Sequence, residues 1–341
     1  MPVSMSSSRI LEVGFGFWHS KVLLTAVELG VFTCLSDQPM RGSELGAMLK
    51  LHPRGVWDFL DALVSMDFLH RDGEGESAYY KNTNDTAYYL DKTKLTYIGG
   101  VLEMCSERLF RIWDDLDIAL KTGKPQNENK YRQKPIFEEL YEDPPRLEQF
   151  MNAMRGLSYS NYEAFSEKFD FSQYKSLCDV GGATALLSSL VAKKHAHLKC
   201  STFDLPQVEP IAKKWLAKEG LLGRVAVVSG NFFEDELPVA DIITMGLILH
   251  DWDLERKKHL IQLAFNSLPE GGVLIAIENI IDDERRENTF GLMMSLNMLM
   301  EFGDAFDFTG ADFWGWCKEA GFKRYEIMHL SGSCSAAIAY K

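Results

Sequence analysis

The sequence lacks the cysteine spacing of a metal site or of a disulfide framework. No two of its cysteines form a C-x-x-C pair, and none is paired with histidine in a metal-like pattern. Isolated cysteines of this kind are typical of proteins in a reducing compartment. We therefore expect reduced, mostly buried thiols, no metal and a cytoplasmic location. The six cysteines are Cys34, Cys105, Cys178, Cys200, Cys317 and Cys334.

Basic residues are few relative to acidic ones. The chain has 36 Lys and Arg against 49 Asp and Glu, which gives a formal net charge of −13. Because nucleic-acid binding depends on clustered Lys and Arg that neutralise phosphates, we expect no nucleic-acid partner. No apolar run reaches the roughly 18 residues that a membrane span needs, and no basic amino-terminal segment precedes an apolar stretch. We therefore expect no membrane partner either.

The chain does have length and apolar content. Its 341 residues are 46% hydrophobic, which is enough for one or two sizeable cores. In the second half, predicted strands alternate with helices, a pattern typical of a parallel sheet covered on both faces. These strands are predicted at about 176–181, 199–204, 225–229, 241–246 and 272–279.

Two further strands are predicted at the end of the chain. Residues 324–330 and 334–340 are joined by a Ser-Gly-Ser turn and can pair only as a hairpin. They add an antiparallel edge to the parallel sheet. The fold class is therefore predicted to be α/β, with a Rossmann-like, doubly wound sheet of seven strands that ends in an antiparallel hairpin.

The first half of the chain is predicted to be mostly helical. Residues 9–36 carry apolar side chains at helical spacing, and residues 42–83 are predicted as helix, turn, helix and a polar hairpin from about Phe68 to Tyr80. This winged-helix pattern occurs in DNA-binding proteins, but the many acidic residues around it favour a dimerisation module. Residues 95–124 and 145–165 are predicted as further helices. The predicted domains are an all-helical, winged-helix-like dimerisation domain (1–95), a helical linker and substrate lid (96–168), and a nucleoside-binding domain (169–341).

A glycine turn marks the place where a ligand is expected to bind. Residues 176–182, SLCDVGG, form an apolar run that ends in Asp179, Gly181 and Gly182, and the next predicted strand ends in Asp204. In a doubly wound sheet, the glycine turn lets the backbone approach a nucleoside, and the carboxylate binds the ribose hydroxyls. We therefore predict an adenosine-like ligand at the carboxyl edge of the sheet. The sequence has no G-x-G-x-x-G at this turn, which disfavours a nicotinamide dehydrogenase.

Further motifs follow in a fixed order. The set DVGG, FDLP, SGNFF, LILHDW, LPEGGVLIAIEN and KEAGF, together with the terminal hairpin, resembles the class I S-adenosylmethionine-dependent methyltransferases. With the helical first half and IWDDLDIALKTGKPQ, essentially the whole chain is similar to the acetylserotonin, caffeate and hydroxyneurosporene O-methyltransferase family. The resemblance implies S-adenosyl-L-methionine as cofactor, with S-adenosyl-L-homocysteine as its product, and a small-molecule methyl acceptor. It also implies a homodimer through the amino-terminal domain, and makes residues 169–341 the cofactor-binding methyltransferase domain.

The resemblance also implies which residues touch the cofactor. The glycine turn would lie along the methionine part, Asp204 would hold the ribose, and Gly230 with Asn231 would flank the adenine. Relatives usually have Asp where Asn231 stands, but an amide can also hydrogen-bond adenine. Ser158 matches a residue that touches the cofactor carboxylate. The predicted cofactor-binding set is Ser158, Asp179, Gly181, Gly182, Asp204, Leu205, Gly230, Asn231, Phe232, Met245 and Gly246.

His250 is the predicted catalytic base. It follows a strand and precedes Asp251, which places it just beyond the carboxyl end of that strand, where ligands bind. A neutral imidazole with a pKa of about 6.5 can take the proton of an attacking hydroxyl, which accelerates such reactions by roughly 10² to 10⁴. The resemblance implies that Glu278 and Asp307 orient His250, and Asp251 completes the predicted catalytic set. Alternatively, His250 only caps the helix that is predicted to begin at Asp253.

The sequence leaves the methyl acceptor open. The favoured reaction is transfer to a hydroxyl of a small metabolite. One alternative is S-methylation of a small thioether acid, such as the methylthio-hydroxybutyrate of dimethylsulfoniopropionate synthesis, in which His250 would position the substrate without removing a proton. Another is a non-catalytic, winged-helix regulator. The residues predicted to bind the acceptor are Arg108, Trp113, Tyr141, Met151, Asn152, Arg155, Tyr159, Tyr162, Met294, Asn297 and Met298.

Overall fold

The chain divides into two compact units, Met1–Arg111 and Ile112–Lys341. The computed structural model describes residues 6–130 and 136–341. The division into three domains at residues 95 and 168, which was expected from the sequence, stays a prediction.

The first unit combines helices with a small sheet. Strands β2 (Leu69–Asp72) and β3 (Tyr79–Asn82) pair as an antiparallel hairpin, which confirms the predicted hairpin. Strand β1 (Met40–Arg41) pairs with the other edge of β3, which makes a sheet of three short strands. The prediction of an all-helical domain is therefore wrong. The helices are α1 (Ser8–Gly14), α2 (Gly16–Leu29), α3 (Val31–Cys34), α4 (Gly42–Met48), α5 (Pro53–Ser65), α6 (Asn84–Tyr89), α7 (Gly99–Met104) and α8 (Phe110–Ile112).

Helix α5 illustrates how the sequence builds the core of this unit. Pro53 occupies the start of the helix, where a missing N–H breaks no hydrogen bond, and the side chain of His52 caps the helix end. Val56, Leu60 and Leu63 follow at helical spacing and are all buried. The apolar face of α5 therefore packs into a core shared with α2, α3 and α4.

The amino-terminal helices carry a large apolar surface. Residues 8–29 contain an 18-residue window with a mean hydropathy of 1.2, of which only 17% is buried. By length and composition this stretch could cross a membrane, so the prediction that no apolar run is long enough is wrong by that measure. Length and composition are weak evidence for a span, because helices of soluble proteins pass the same test. Phe17 and Trp18 are 52% and 57% exposed, and contiguous apolar surface of this kind marks an interaction site.

The second unit is built on a seven-stranded sheet. The strand order is β6-β5-β4-β7-β8-β10-β9. Neighbours from β6 to β8 pair in parallel, whereas β10 pairs antiparallel with both β8 and β9. The predicted doubly wound sheet with a terminal hairpin is confirmed. Its strands are β4 (Ser176–Val180), β5 (Lys199–Asp204), β6 (Val225–Ser229), β7 (Ile242–Gly246), β8 (Val273–Glu278), β9 (Arg324–Ser331) and β10 (Cys334–Tyr340).

The strand order explains where a ligand can bind. From β4 the chain winds outward through β5 and β6, and it then returns to place β7 on the other side of β4. Loops leaving β4 and β7 therefore diverge and open a crevice at the carboxyl edge of the sheet. The helices of this unit are α9 (Leu116–Thr122), α10 (Ile136–Glu142), α11 (Pro144–Lys168), α12 (Leu186–Lys194), α13 (Glu209–Lys218), α14 (Leu254–Ser267), α15 (Thr289–Phe302) and α16 (Gly310–Ala320).

Both faces of the central strands are covered. Every residue of β8 is buried, as is typical of a strand with helices on both sides. Successive side chains enter opposite cores: Ile275 packs in one cluster, and Leu274 in the other. The sheet is therefore a rigid platform whose strand ends have fixed positions.

Of the two long helical segments predicted between residues 95 and 165, only one is continuous. Helix α11 runs for 25 residues, with Pro144 at its start and the Asp143 side chain accepting the N–H of Arg146 at 3.2 Å. The segment 95–124 is instead interrupted by a π-helical turn (Cys105–Leu109) and a 3₁₀ turn (Trp113–Asp115). The predicted helix is therefore present over residues 99–122, although these two turns depart from regular α-helical hydrogen-bond spacing.

Two helical glycines provide a test of the packing. A Cβ at Gly291 in α15 would lie 2.5 Å from the carbonyl oxygen of Asn279, whereas a Cβ at Gly315 in α16 would meet nothing within 4 Å. Gly291→Ala should therefore lower the free energy of unfolding by about 1–3 kcal/mol through overpacking. Gly315→Ala should raise it by about 0.5–1 kcal/mol, since alanine favours a helix. Urea denaturation of both variants measures the difference, and equal effects would contradict this packing.

Candidate functional site

The glycine turn after β4 is tightly confined. Gly181 has φ +70°, and Ala183 and Ala185 also have positive φ values of +48° and +58°. A Cβ at Gly182 would overlap the hydroxyl of Thr202 on β5. The turn therefore holds a strained backbone against the neighbouring strand. The predicted approach of this backbone to a nucleoside stays a prediction.

Asp204 joins the loops that follow β4 and β5. Its Oδ2 accepts the N–H of Ala183 at 2.9 Å, and its Oδ1 accepts the N–H of Leu205 at 2.7 Å. Burial raises the pKa of Asp204 to about 6, although these two hydrogen bonds lower it. Each carboxylate oxygen can accept a further hydrogen bond, so Asp204 can still bind a pair of hydroxyls.

Asp179 is more deeply buried than Asp204. It is 2% exposed, and its Oδ1 accepts a hydrogen bond from the hydroxyl of Thr244 on β7 at 2.7 Å. Burial raises the pKa of Asp179 to about 7, and the bond from Thr244 opposes the shift. Asp179 therefore connects β4, to which it belongs, with β7, at the switch point of the sheet.

The remaining predicted cofactor residues occupy the adjoining strand ends. Gly230 donates its N–H to the carbonyl of Asp204 at 2.9 Å, and Asn231 Oδ1 accepts the N–H of Phe233 at 3.0 Å. The ring of Phe232 packs 4.8 Å from that of Phe233. In contrast, the Met245 side chain is fully buried in the core, so only its backbone can face the crevice.

Tyr162 from α11 closes over the end of β7. A Cβ at Gly246 would overlap the Tyr162 hydroxyl, so this position needs a glycine. Tyr162 also hydrogen-bonds Ser158, one turn earlier on the same helix, and burial raises its pKa. Tyr162, which was predicted to bind the methyl acceptor, thus contacts two residues predicted to bind the cofactor, Ser158 and Gly246.

His250 lies in a short 3₁₀ turn, Leu249–Asp251, just after β7. Glu278, at the end of β8, stabilises this turn, because its Oε1 accepts the N–H groups of Ile248 and Leu249 at 3.1 and 3.0 Å. The sequence prediction that His250 stands beyond a strand end is confirmed. The helix that follows is capped by Asp253, whose side chain accepts a backbone N–H, so His250 is not needed as its cap.

Three carboxylates surround the His250 ring. Its Nδ1 is 3.4 Å from Asp307 Oδ1 and 3.9 Å from Glu278 Oε2, and its Nε2 is 3.4 Å from Asp251 Oδ1. His250, Glu278 and Asp307 are 5%, 1% and 2% exposed. The structure thus brings together all four residues of the predicted catalytic set.

The charges in this cluster influence one another strongly. Burial lowers the pKa of His250, but Glu278, Asp251 and Asp307 outweigh it and raise that pKa well above its ordinary value. Burial raises the pKa of Glu278 to about 7 and that of Asp251 to about 6, while His250 opposes both shifts. The cluster therefore retains a proton near neutral pH. When the imidazolium loses one proton, the two carboxylates on the Nδ1 side favour keeping the other on Nδ1, which leaves Nε2 as the basic nitrogen.

The same residues have the composition of a cation site. Ligand-type atoms of His250, Glu278 and Asp307 all lie within 4.8 Å of one another. An imidazole flanked by carboxylates also satisfies this geometry when the ring carries the proton itself. The expectation that the protein uses no metal stays a prediction.

Several residues predicted to bind the acceptor have structural partners instead. Arg155 pairs with Glu219, and its guanidinium lies 4.0 Å from the ring centroid of Trp215. Asn152 Oδ1 accepts the indole N–H of Trp215 at 2.9 Å. These contacts hold α11 against α13 and argue against the predicted substrate role of Arg155 and Asn152.

The other residues predicted to bind the methyl acceptor lie on several different elements and differ in burial. Trp113 donates its indole N–H to Asn297 Oδ1 at 2.9 Å, which joins the 3₁₀ turn to α15. Burial raises the pKa of Tyr141, with further contributions from Asp204 and Asp251, so Tyr141 lies near both groups. The rest are Met151 and Met298, both 5% exposed, Tyr159 and Met294, partly buried, and Arg108, in the π-helical turn of the first unit.

Sequence reasoning missed Lys257, which is fully buried in α14. Its Nζ lies 3.7 Å from the ring centroid of Phe306, beside the His250 cluster. A signal was present: Lys257 shares the helical spacing of Leu260, Ile261 and Ala264, which form the buried face of α14. A lysine in such a stripe is unusual, since charged side chains are rarely fully buried.

Sequence models of two protein domains match the chain. An O-methyltransferase domain matches residues 113–323, and an O-methyltransferase dimerisation domain matches residues 11–92. Together they cover most of both compact units.

Individual proteins are similar over nearly the whole chain. The tetracenomycin polyketide synthesis 8-O-methyl transferase TcmO of Streptomyces glaucescens is 34% identical, over 97% of this chain and 96% of that protein. The N,N-dimethyltransferase OxyT of Streptomyces rimosus is 31% identical, over 94% and 92%. The crystal structure of human N-acetylserotonin methyltransferase in complex with S-adenosylmethionine superposes with a TM-score of 0.90 at 27% identity, covering 100% and 99% of the two chains.

The buried carboxyl of Asp179 predicts a pH-dependent stability. Its pKa is about 7 in the folded protein and about 3.9 in an unfolded chain. The folded state therefore binds more protons between these values, and the free energy of unfolding falls as pH rises through this window. Asp179→Asn removes the titration, so the decline should become shallower by up to about 1.4 kcal/mol per pH unit between about pH 4 and 7.

Urea unfolding of the cofactor-free protein at a series of pH values measures this slope. The exposed Asp37 offers a matched control, and Asp37→Asn should keep the slope of the wild type. An Asp179→Asn slope equal to that of the wild type would contradict the burial argument.

Proposed function

We propose that this chain, which belongs to the O-methyltransferase family, methylates a hydroxyl group of a small metabolite with His250 as the general base. It is an S-adenosylmethionine-dependent methyltransferase, and its cofactor product is S-adenosylhomocysteine. One observation carries the proposal: His250 is flanked by carboxylates on both sides, at the carboxyl edge that also carries the glycine turn and Asp204.

The crevice fits the cofactor in three respects. The backbone of Gly181 and Gly182 is partly exposed and carries no side chain, so it can lie along the methionine part. Asp204 retains acceptor capacity for the two ribose hydroxyls, and Gly230 with Asn231 continues the edge toward the adenine. When bound, the cofactor supplies a methyl group on a positively charged sulfonium.

The proposed chemistry needs alignment and proton removal. Alignment of the acceptor alone can contribute about 7–11 kcal/mol in well-oriented systems. Nε2 of His250 then takes the hydroxyl proton, while Asp307 and Glu278 stabilise the resulting imidazolium from the Nδ1 side. The carboxylates therefore orient the base and also stabilise its charged form.

Two other acceptors follow from the chemistry of methyl transfer. A thioether acid has no proton to lose and needs a cationic partner for its carboxylate. Arg155, one of the guanidinium groups expected to serve it, is paired with Glu219, which weakens this alternative. An amine acceptor is favoured by one observation, the 31% identity to a protein named an N,N-dimethyltransferase.

We also propose that the chain forms a homodimer through its first unit and works in the cytoplasm. A dimerisation domain matches residues 11–92, and the exposed apolar surface of α1 and α2 needs a cover in water. The six cysteines are free thiols, which fits a reducing compartment.

The dimer proposal predicts the effect of a charge on that surface. Trp18→Glu should produce a monomer, because a buried carboxylate without a partner strongly disfavours association. Val239 is 80% exposed in the second unit, and Val239→Glu is the control that should remain dimeric. Light scattering after size-exclusion chromatography measures the mass, and a dimeric Trp18→Glu variant would remove this surface from the interface.

The base proposal predicts the effect of removing His250. His250→Gln should lower kcat by roughly 10² to 10⁴, with cofactor affinity nearly unchanged, because only the proton acceptor is lost. His259, an exposed residue on α14, gives the control His259→Gln, which should retain activity. Activity is measured with labelled S-adenosylmethionine against a panel of phenols, hydroxyindoles, amines and methylthio acids. A loss below tenfold, or turnover confined to methylthio acids, would sink the proposal.

A further inference from the structure

Lys257 is a buried cation without a role in the chemistry described so far. It lies near the start of α14, and its side chain is fully buried. A buried charge is costly unless other charges or hydrogen bonds compensate it. The positive end of the helix dipole lies at the same helix start and disfavours a cation further. Strong attractive interactions must therefore hold Lys257 in place.

The contacts of Lys257 connect two segments of the catalytic cluster. Its Nζ donates a hydrogen bond to the carbonyl oxygen of Trp252, which directly follows the turn with His250 and Asp251. Its Nζ also lies 3.7 Å from the ring centroid of Phe306, which precedes Asp307 in sequence. Lys257 thus bridges the segment on the Nε2 side of the imidazole and the segment on its Nδ1 side.

The electrostatic surroundings of Lys257 are those of the cluster itself. Burial lowers its pKa, and Glu278 on β8, Asp307 before α16, Asp251 in the 3₁₀ turn and Asp253 at the start of α14 oppose the lowering. Three of these carboxylates are the ones that raise the pKa of His250. The ammonium and the imidazole therefore compete for the same negative charges.

We propose that Lys257 is a positioning residue that lowers the proton affinity of the His250 cluster by placing a positive charge beside its carboxylates. The inference rests on the proposed role of His250 as a base, since a base must be neutral before it takes a proton. A nearby cation disfavours a second positive charge on the imidazole. Because these groups titrate together, the effect appears in the apparent pKa of the cluster. Lys257 would thus reduce the upward shift that the carboxylates impose on His250 and make its deprotonation easier.

The test removes the charge of Lys257 and follows His250 directly. Lys257→Met keeps a long, flexible side chain without the ammonium. NMR titration of ¹⁵N-labelled imidazoles in the cofactor-free protein reports the His250 midpoint, and His250→Gln assigns its signal. The midpoint should rise by at least about one pH unit, the effect of a unit charge roughly 12 Å away at an effective dielectric constant of about 20. In the activity assay, the acid limb of the pH profile should move the same way, with a rate at pH 7 about tenfold lower that recovers at higher pH.

Lys258→Met is the matched control. Lys258 is the next residue on α14, with a side chain that is 40% exposed and 2.7 Å from Glu319, so its loss should leave the His250 midpoint unchanged. Lys257→Gln is a second neutral variant, and it should shift the midpoint in the same direction. An unchanged or lower midpoint in the neutral Lys257 variants, with or without a lower melting temperature, would overturn the inference.

The two proposals can fail separately. A raised midpoint in Lys257→Met supports the electrostatic role of Lys257 even if His250→Gln remains active, in which case only the base role of His250 is lost. If His250→Gln is inactive and the midpoint of Lys257→Met does not rise, the base role stands and the role of Lys257 does not.

Discussion

Two hydrogen bonds to one carboxylate oxygen hold the turn on which the rest of the site depends. Glu278 Oε1 accepts the N–H groups of Ile248 and Leu249 at 3.1 and 3.0 Å. Leu247, just before them, has a φ of +54°, a left-handed conformation that costs a residue with a side chain about 1–2 kcal/mol. The turn keeps this strained form because Glu278 binds consecutive amides from the end of a buried strand. His250 is therefore positioned by the register of β7 against β8 and not by a free loop.

Buried acidic side chains are concentrated at the carboxyl edge of the sheet. Burial raises the pKa of Asp179, Asp204, Asp251 and Glu278, which sit at or just beyond the ends of four adjacent strands. In the free protein these groups are costly, because each carboxylate is removed from water. A cationic ligand lowers that cost by pairing with them. The edge is thus better suited to a cofactor with a positively charged sulfonium than to an anionic one.

The strands were predictable because each one has a local signature. Buried runs ending in an acid or a glycine gave β4 and β5 within one residue, and the Ser-Gly-Ser turn gave the terminal hairpin. The partners of long polar side chains were not predictable, since they depend on which helices meet. Arg155 and Asn152 have the chemistry of substrate ligands, but α13 brings Glu219 and Trp215 to them.

The arrangement of charge around His250 favours an acceptor that releases a proton. In methyl transfer to a hydroxyl, the donor loses its positive charge and the released proton carries that charge to the base. Within the proposed site, one positive charge would therefore move from the glycine turn to His250 without any change in total charge. Asp251 and Asp307 lie 3.4 Å from opposite nitrogens of the ring, so they stabilise the charge where it arrives. The positive charge of Lys257 disfavours protonation of His250 by solvent before the acceptor binds, because that proton would enter a cluster that already contains a cation.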